Sequence, residues 1–406
     1  MLNKLIALGL LAGLLVGLGA AMTGNTFLHG IARESAPLGK LFINAIKMVV
    51  IPLVVTVIFS SIARLGDVKT LGRIGGMTLV FYWATLIPAI LLGMGVMALG
   101  LNFTPDLTMP SVEAAPIPKL QSLSDFFISL IPANPFAAAT NGAILPLIVF
   151  TALFAAAAGT MPKDRKERMI TGAEDISSVL IKLVWWILYT APLGIFGLIA
   201  PATAVLGWSL IQSLAIFIIC VFIALTLLVL CVFLPLVLGV AKIKPLHFFK
   251  SITGALSIAF STTSTAAALP VTLEETITKL GVSKSVAELL IPLGASMYRP
   301  GSALFQGAAI VFLAHIYGLP IALSAAGAVL FATFLVSLTI APVPSASVVT
   351  MAPALEALGV PLAGLAFMLG IDRIPDMMRS SVNVLGHIAA AALIDAKVTS
   401  QADIPD

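Results

Sequence analysis

The sequence predicts an all-α polytopic membrane protein, on three observations. Of 406 residues, 60% are hydrophobic and 10% charged, where a soluble domain carries about 25% charged residues, and mean hydropathy is +1.12. Apolar runs long enough to cross a bilayer, about twenty residues each, recur along the chain. Between them the basic residues gather in alternate loops. The first observation excludes a soluble fold with an oversized core. The last makes the net charge of +4 a matter of membrane orientation, not of nucleic-acid binding.

The elements follow in order. The N-terminal MLNKLIALGLLAGLLVGLGAAM has a basic start and a long apolar run. With no small-residue cleavage site and polar domain after it, the segment reads as a first transmembrane helix over 5–22, not as a signal peptide. Further spans fall at 42–63, 76–101, 122–160, 177–204 and 211–240. Pro132, Pro135 and Pro146 divide 122–160 into several helical pieces. One set of loops holds eleven basic residues (Lys4; Arg64, Lys69, Arg73; Lys163, Arg165, Lys166, Arg168; Lys242, Lys244, Lys250) and the other three (Arg33, Lys40, Lys119). That excess puts the N-terminus in the cytoplasm, with six crossings before residue 242. Cys220 and Cys231, eleven residues apart in one apolar helix, read as inert core thiols, not as a disulfide.

After residue 250 the apolar segments are interrupted. SIAFSTTSTAAALPVTL and FLVSLTIAPVPSASVVTMAPAL are apolar at both ends and polar in the middle. Each reads as a helical hairpin that enters the membrane and turns back at a proline-containing tip, Pro270 in one and Pro342/Pro344 in the other. Each precedes a span with polar residues, 286–316 and 361–395. Paired interrupted segments point to a binding site at the membrane midplane, because backbone freed at that depth must line a cavity or face protein. Ordinary helices with buried Ser/Thr contacts are the alternative.

The most informative segment is GIDRIPDMMRSSVNVLGHIAAAALI, 370–394. Asp372, Asp376, Arg379 and Asn383 lie at i, i+4, i+7 and i+11, on one helical face, and His387 stays near its edge. A charge at the bilayer centre costs about 2.5–3.5 kcal/mol or more, so these groups must pair, line a wet cavity or bind a solute. Arg379 offers a donor fork for a carboxylate, Asp376 an acceptor for an ammonium group, and Asn383 a donor for a second carboxylate. An internal ion-pair network, Asp376 with Arg379, is the alternative.

Six separated motifs in order resemble the glutamate transporter homologues, the dicarboxylate/amino acid:cation symporters. LGKLFINAIKMVVIPLV (38–54), IPANPFAAATNGAILPLIVF (131–150) and YTAPLGIFGLIA (189–200) are similar to that family's second, fourth and fifth helices. STTSTAAALPVT (261–272) is similar to the tip of its first hairpin, and IPLGASMYRPGSALFQ (291–306) and GIDRIPDMMRSSVNV (370–384) to its seventh and eighth helices. The resemblance implies eight transmembrane helices plus two re-entrant hairpins in a homotrimer in the cell membrane. It also implies a scaffold over 1–70 and 106–208, and a transport domain over 71–105 and 209–406 that moves like an elevator. By the same resemblance, Arg379 holds a substrate side-chain carboxylate, Asp376 the amino group and Asn383 the main-chain carboxylate. Ser264 and Thr265 lie in the substrate-binding tip of the first hairpin, and Val343 and Pro344 in the gate of the second. Having both Arg379 and Asp376 favours an acidic amino acid, glutamate or aspartate; a C4-dicarboxylate symporter is the alternative.

The chain departs from the family at its cation sites. Where the family's seventh helix usually carries Asn-Met-Asp at its unwound centre, this sequence has Tyr298, Arg299 and Pro300. A family aspartate is replaced by His387. Tyr82 and Thr85 match sodium-site positions but are followed by Leu86; Asp372 is kept. Two carboxylates have gone and a guanidinium has arrived. The expectation is transport without sodium, with Arg299, assisted by Arg373, supplying the positive charge that the ion supplies elsewhere. Coupling is then to protons through His387, Asp372 or Asp376, or absent. An altered cation site, or a neutral hydrogen-bonded His387, remains open. No metal site or cofactor is expected. The four histidines are scattered without an HExxH motif, so an enzyme is not indicated. An anion channel lined by the charged stripe is a further alternative, but capped hairpins fit an occluding carrier better.

Overall fold

The structure, a computed structural model, describes residues 2–70, 73–105, 128, 131–141, 144–319, 323–337, 340 and 345–402. Among them there are helices and no strands. α1 (Leu2–Thr23), α2 (Thr26–Thr70) and α3 (Arg73–Gly100) are followed by two pieces of the proline-broken region, α4 (Pro135–Thr140) and α5 (Ile144–Gly159). Asn134 starts α4 by accepting from Phe136 N and Ala137 N, as an N-cap does. α6 (Lys163–Leu206) runs through two internal prolines. α7 (Trp208–Leu228) continues through a π turn, Val229–Phe233, into α8 (Leu234–Gly239). Cys220 and Cys231 are free, and Cys220 is buried, as expected; Cys231 is exposed and not in the core.

Six of the described helical stretches are long and apolar enough to cross a membrane. They are not equivalent. Only 18% of the Lys4–Thr23 span is buried within the protein, against 72% of Arg373–Val398, so the first faces outward and the last runs through the interior. α1, α2, α5 and α6 pack mainly on one another. Where α1 crosses α6, a Cβ on Gly17 would lie 2.7 Å from Ala200 O, so only glycine permits that approach.

The second half supplies the interior. α9 (Pro245–Ser251) leads into α10 (Thr253–Thr262) and α11 (Thr265–Thr278), which form a hairpin. Ser251 Oγ donates to Lys279 O and Ala255 N to Glu275 Oε2, pairs centred on residue 265. The sequence places the tip of this hairpin at Pro270, and the structure corrects that. The chain reverses at Thr263, left-handed at φ +52, and Ser264 restarts the helix by accepting from Ala267 N. Pro270 lies inside α11, as transmembrane helices allow. The expected span 286–316 is divided into α12 (Lys284–Met297) and α13 (Pro300–Ile316). α14 (Leu323–Ser337), α15 (Ala346–Thr350) and α16 (Ala352–Ala357) come from the second interrupted segment; its expected tip, Pro342 to Pro344 and including Val343, lies outside the described residues. The span 361–395 is divided at Asp372 into α17 (Gly364–Ile371) and α18 (Arg373–Ala402). α18 packs on α10, α11, α12 and α13, while α3 packs on α7 and α13.

Candidate substrate and coupling site

The ionic stripe of α18 turns inward. Asp372, Arg379 and His387 are each 1% exposed, and Asp376 and Asn383 are buried beside them. Asp376, in the first turn of α18, accepts at Oδ1 from Arg379 Nε (3.1 Å), Arg379 Nη2 (2.6 Å) and Ser380 Oγ (3.4 Å). Its Oδ2 accepts from Ser345 N at 3.2 Å, which ties the start of α15 to α18. Arg379 Nη2 also lies 2.9 Å from Asp372 Oδ1, an ion pair in which, among the described residues, neither Asp372 oxygen has a well-aligned hydrogen bond. The guanidinium stacks 4.2 Å over the Phe305 ring, a cation–π contact. Its Nη1 is buried without an acceptor among the described residues. One guanidinium thus serves two carboxylates and keeps a donor in reserve.

Asn383 is engaged at the neighbouring helix break. Its Oδ1 accepts from Gly301 N (2.9 Å) and Ser302 N (3.3 Å), and its Nδ2 donates to Ser302 Oγ (3.0 Å). It satisfies the open N-terminus of α13 as a cap from another helix would. Gly301 sits so close that a Cβ there would be 2.7 Å from Arg379 O.

The cation-site departures cluster at the same break. Tyr298 and Arg299 leave helical conformation between α12 and α13. The Tyr298 ring stacks on Tyr82 with centroids 4.1 Å apart, and its hydroxyl shares a 2.5 Å hydrogen bond with Thr85 Oγ1. Tyr82 OH donates to Leu290 O at 3.3 Å. His387 Nε2 lies 2.7 Å from Tyr298 O; a carbonyl only accepts, so Nε2 carries the proton. Arg299 Nη2 donates to Ala295 O. One carbonyl of the last turn of α12, Ala295 O, and one at the break, Tyr298 O, are therefore each taken by a nitrogen donor. Among the described residues no cluster of three His, Cys, Asp or Glu could hold a metal.

Arg373 points the other way, to the first hairpin. Its Nη1 donates to Thr263 Oγ1 (2.7 Å) and its Nη2 to Ser261 O (3.1 Å). Ser264 caps α11, and Thr265 Oγ1 is buried without an acceptor or donor partner among the described residues. Val343 and Pro344 lie outside the described residues. Sequence reasoning did not find Ser345, Phe305, Ser302 or Gln306. Gln306 is fully buried and donates to Ser347 O and Thr350 Oγ1. Ser302, Phe305 and Gln306 stand in the motif 291–306, but nothing in the sequence gives their partners.

Membrane-crossing helices around a buried ionic cluster at two helix breaks define a polytopic membrane protein with an internal, charge-lined site. The chain belongs to the sodium:dicarboxylate symporter family, whose model matches residues 2–397. It is a multi-pass transporter, not an enzyme. It is 32% identical to the proton/glutamate-aspartate symporter of Escherichia coli (strain K12), over 89% of this chain and 84% of that one. It is 31% identical to the proton/sodium-glutamate symport protein of Geobacillus stearothermophilus, over 96% and 92%. It is 29% identical to the C4-dicarboxylate transport protein of Bacillus subtilis (strain 168), over 92% and 89%.

Proposed function

We propose that this protein carries glutamate and aspartate across the cell membrane without sodium, coupled to protons. The observation that carries the substrate class is Arg379. Buried, with one Nη unpartnered among the described residues and two aspartates beside it, it can receive a carboxylate at that Nη while Asp376 turns to an ammonium group. The name of the Escherichia coli relative supports acidic amino acids as substrate and protons as driver. A C4-dicarboxylate, as in the name of the Bacillus subtilis relative, leaves Asp376 without an ammonium partner and is the second reading.

The absence of sodium coupling rests on donor chemistry. A sodium ion needs a cage of oxygen lone pairs. Here Ala295 O and Tyr298 O accept from Arg299 and His387, the Thr85 hydroxyl faces that of Tyr298, and a guanidinium stands beside the position. Two unit positive charges about 4 Å apart repel by roughly 4 kcal/mol at an effective dielectric of 20. Arg299 then stands where a bound cation would act, with Arg373 holding the hairpin. Among the expected proton carriers we favour Asp372. It shares Arg379 with Asp376, so its protonation releases that guanidinium to a substrate anion and links the two binding events. His387 is instead committed to Tyr298 O.

The scaffold (1–70 and 106–208) and elevator-type transport domain (71–105 and 209–406), eight helices with two hairpins, a cytoplasmic N-terminus and a homotrimer belong to the same proposal. The mutual packing of α1, α2, α5 and α6, and of α3 with α7 and α13, supports the division. Uptake of radiolabelled glutamate or aspartate into liposomes, with and without a sodium gradient, tests the reading. Sodium-free uptake that acidifies the lumen is expected; strong stimulation by sodium overturns it.

A further inference from the structure

Arg299 has more hydrogen-bonding capacity than the protein uses. It is 3% exposed. Its Nη2 donates to Ala295 O, and its Nε and Nη1 are buried with no acceptor among the described residues. The carboxylates of the site, Asp372 and Asp376, are ion-paired with Arg379, and no described carboxylate is ion-paired with Arg299. The other polar side chains of the same break are engaged with one another or with backbone: His387 with Tyr298 O, Tyr298 with Thr85, Tyr82 with Leu290 O. The carbonyl at the end of α12 suits a cation but satisfies one of five N–H groups. A buried donor left unmade is costly, and a buried charge without a partner more so.

The geometry of the guanidinium says what it lacks. Nη2 carries two hydrogens, one directed to the Nε side and one to the Nη1 side. Whichever of them reaches Ala295 O, the other shares an edge with a free donor. One complete two-donor edge therefore remains, the shape that grips a carboxylate bidentately or pinches a single spherical anion.

We propose that this free edge of Arg299 is a seat for a small monovalent anion, a halide or a carboxylate, at the break between α12 and α13 and separate from Arg379. The proposal deepens the reading of Arg299 as a fixed cation: a charge standing in for sodium attracts an anion, as the ion would.

The test is thermal melting of the purified, detergent-solubilised protein in sodium-free potassium salts of equal ionic strength. Chloride and bromide are expected to raise the midpoint over isethionate by about 2 °C or more, and Arg299→Met to abolish the difference. Should that variant fail to fold, Arg299→Lys, which keeps the charge but not the two-donor edge, is expected to reduce it. Saturating aspartate separates the sources. A halide shift that disappears identifies a seat shared with a substrate carboxylate; one that persists identifies a separate halide seat. Absence of any halide shift, together with unchanged aspartate affinity in Arg299→Met, overturns the proposal. Sodium-stimulated uptake would sink the coupling reading while leaving a halide shift in these sodium-free melts untouched, so the two failures are distinguishable.

Discussion

Two helical runs are interrupted in the interior of this protein, and the breaks are opposite in charge. Between α12 and α13 the chain becomes extended at Tyr298 (φ −129, ψ 105) and Arg299 (φ −135, ψ 74), setting a guanidinium against the last carbonyls of α12. Between α17 and α18, Asp372 keeps helical angles (φ −57, ψ −32), setting a carboxylate before the first turn of α18. Each charge complements the dipole of the helix end that it meets, an effect of about 0.3–1 kcal/mol at a surface and up to about 2 when partly buried. The breaks differ in what balances the charge. Asp372 and Asp376 are met by Arg379, whereas Arg299 meets a carbonyl alone among the described residues. Dipole complementarity accounts for where these charges sit; whether a charge is answered separates a closed ionic cluster from an open one.

The largest expected effect comes from breaking the closed cluster. Arg379→Ala leaves two buried aspartates unanswered, a cost of about 3–5 kcal/mol. Glutamate and aspartate uptake should fall more than about 100-fold, in protein that gel filtration certifies as folded. Asp372→Asn removes the shared claim on Arg379. Proton-gradient-driven uptake should fall at least about tenfold, a change of about 1.4 kcal/mol, while substrate counterflow persists; gradient-driven uptake at the wild-type rate would remove Asp372 from the coupling. The open break can be made to resemble the family pattern with Tyr298→Asn, Arg299→Met, Pro300→Asp and His387→Asp together. These return two carboxylates and free two carbonyls, and a several-fold stimulation of uptake by sodium is expected. The smallest effect is at a third charge. Arg373→Gln gives up hydrogen bonds to Thr263 and Ser261 at a partly exposed site, about 1 kcal/mol, and should raise the apparent KM about fivefold with little change in melting temperature.

The two breaks were also unequally legible. The stripe Asp372, Asp376, Arg379, Asn383 and His387 was plain because a helical period carries it through an apolar background, and all five side chains are buried. That Tyr298 and Arg299 interrupt a helix came from the motif, and Pro300 adds a local reason, since proline disfavours helical angles at the residue before it. The pairing of Asn383 with Gly301 and Ser302 joins residues more than eighty positions apart, and no local pattern encodes such a distance. The hairpin tip was misplaced for a different reason. Proline is the stronger turn signal in sequence, but the reversal uses a threonine in the left-handed region, a conformation with no residue-type signature outside glycine and asparagine. The proline breaks of 122–160 were legible because ring geometry acts on the nearest turn, as α4 and α5 illustrate.

The π turn at Val229–Phe233 bears on how this region tolerates change in length. A five-residue hydrogen-bonded ring takes up one more residue than the ordinary helical turn, so everything after it is wound about 100° further round the axis. That offset directs Phe233 at Gly386, where a Cβ would lie 3.2 Å from its ring. Excising a single residue there would let the helix wind continuously and swing Phe233 off α18. Insertions and deletions in this stretch act as rotations of the wall behind the Tyr298 break, not as changes of span.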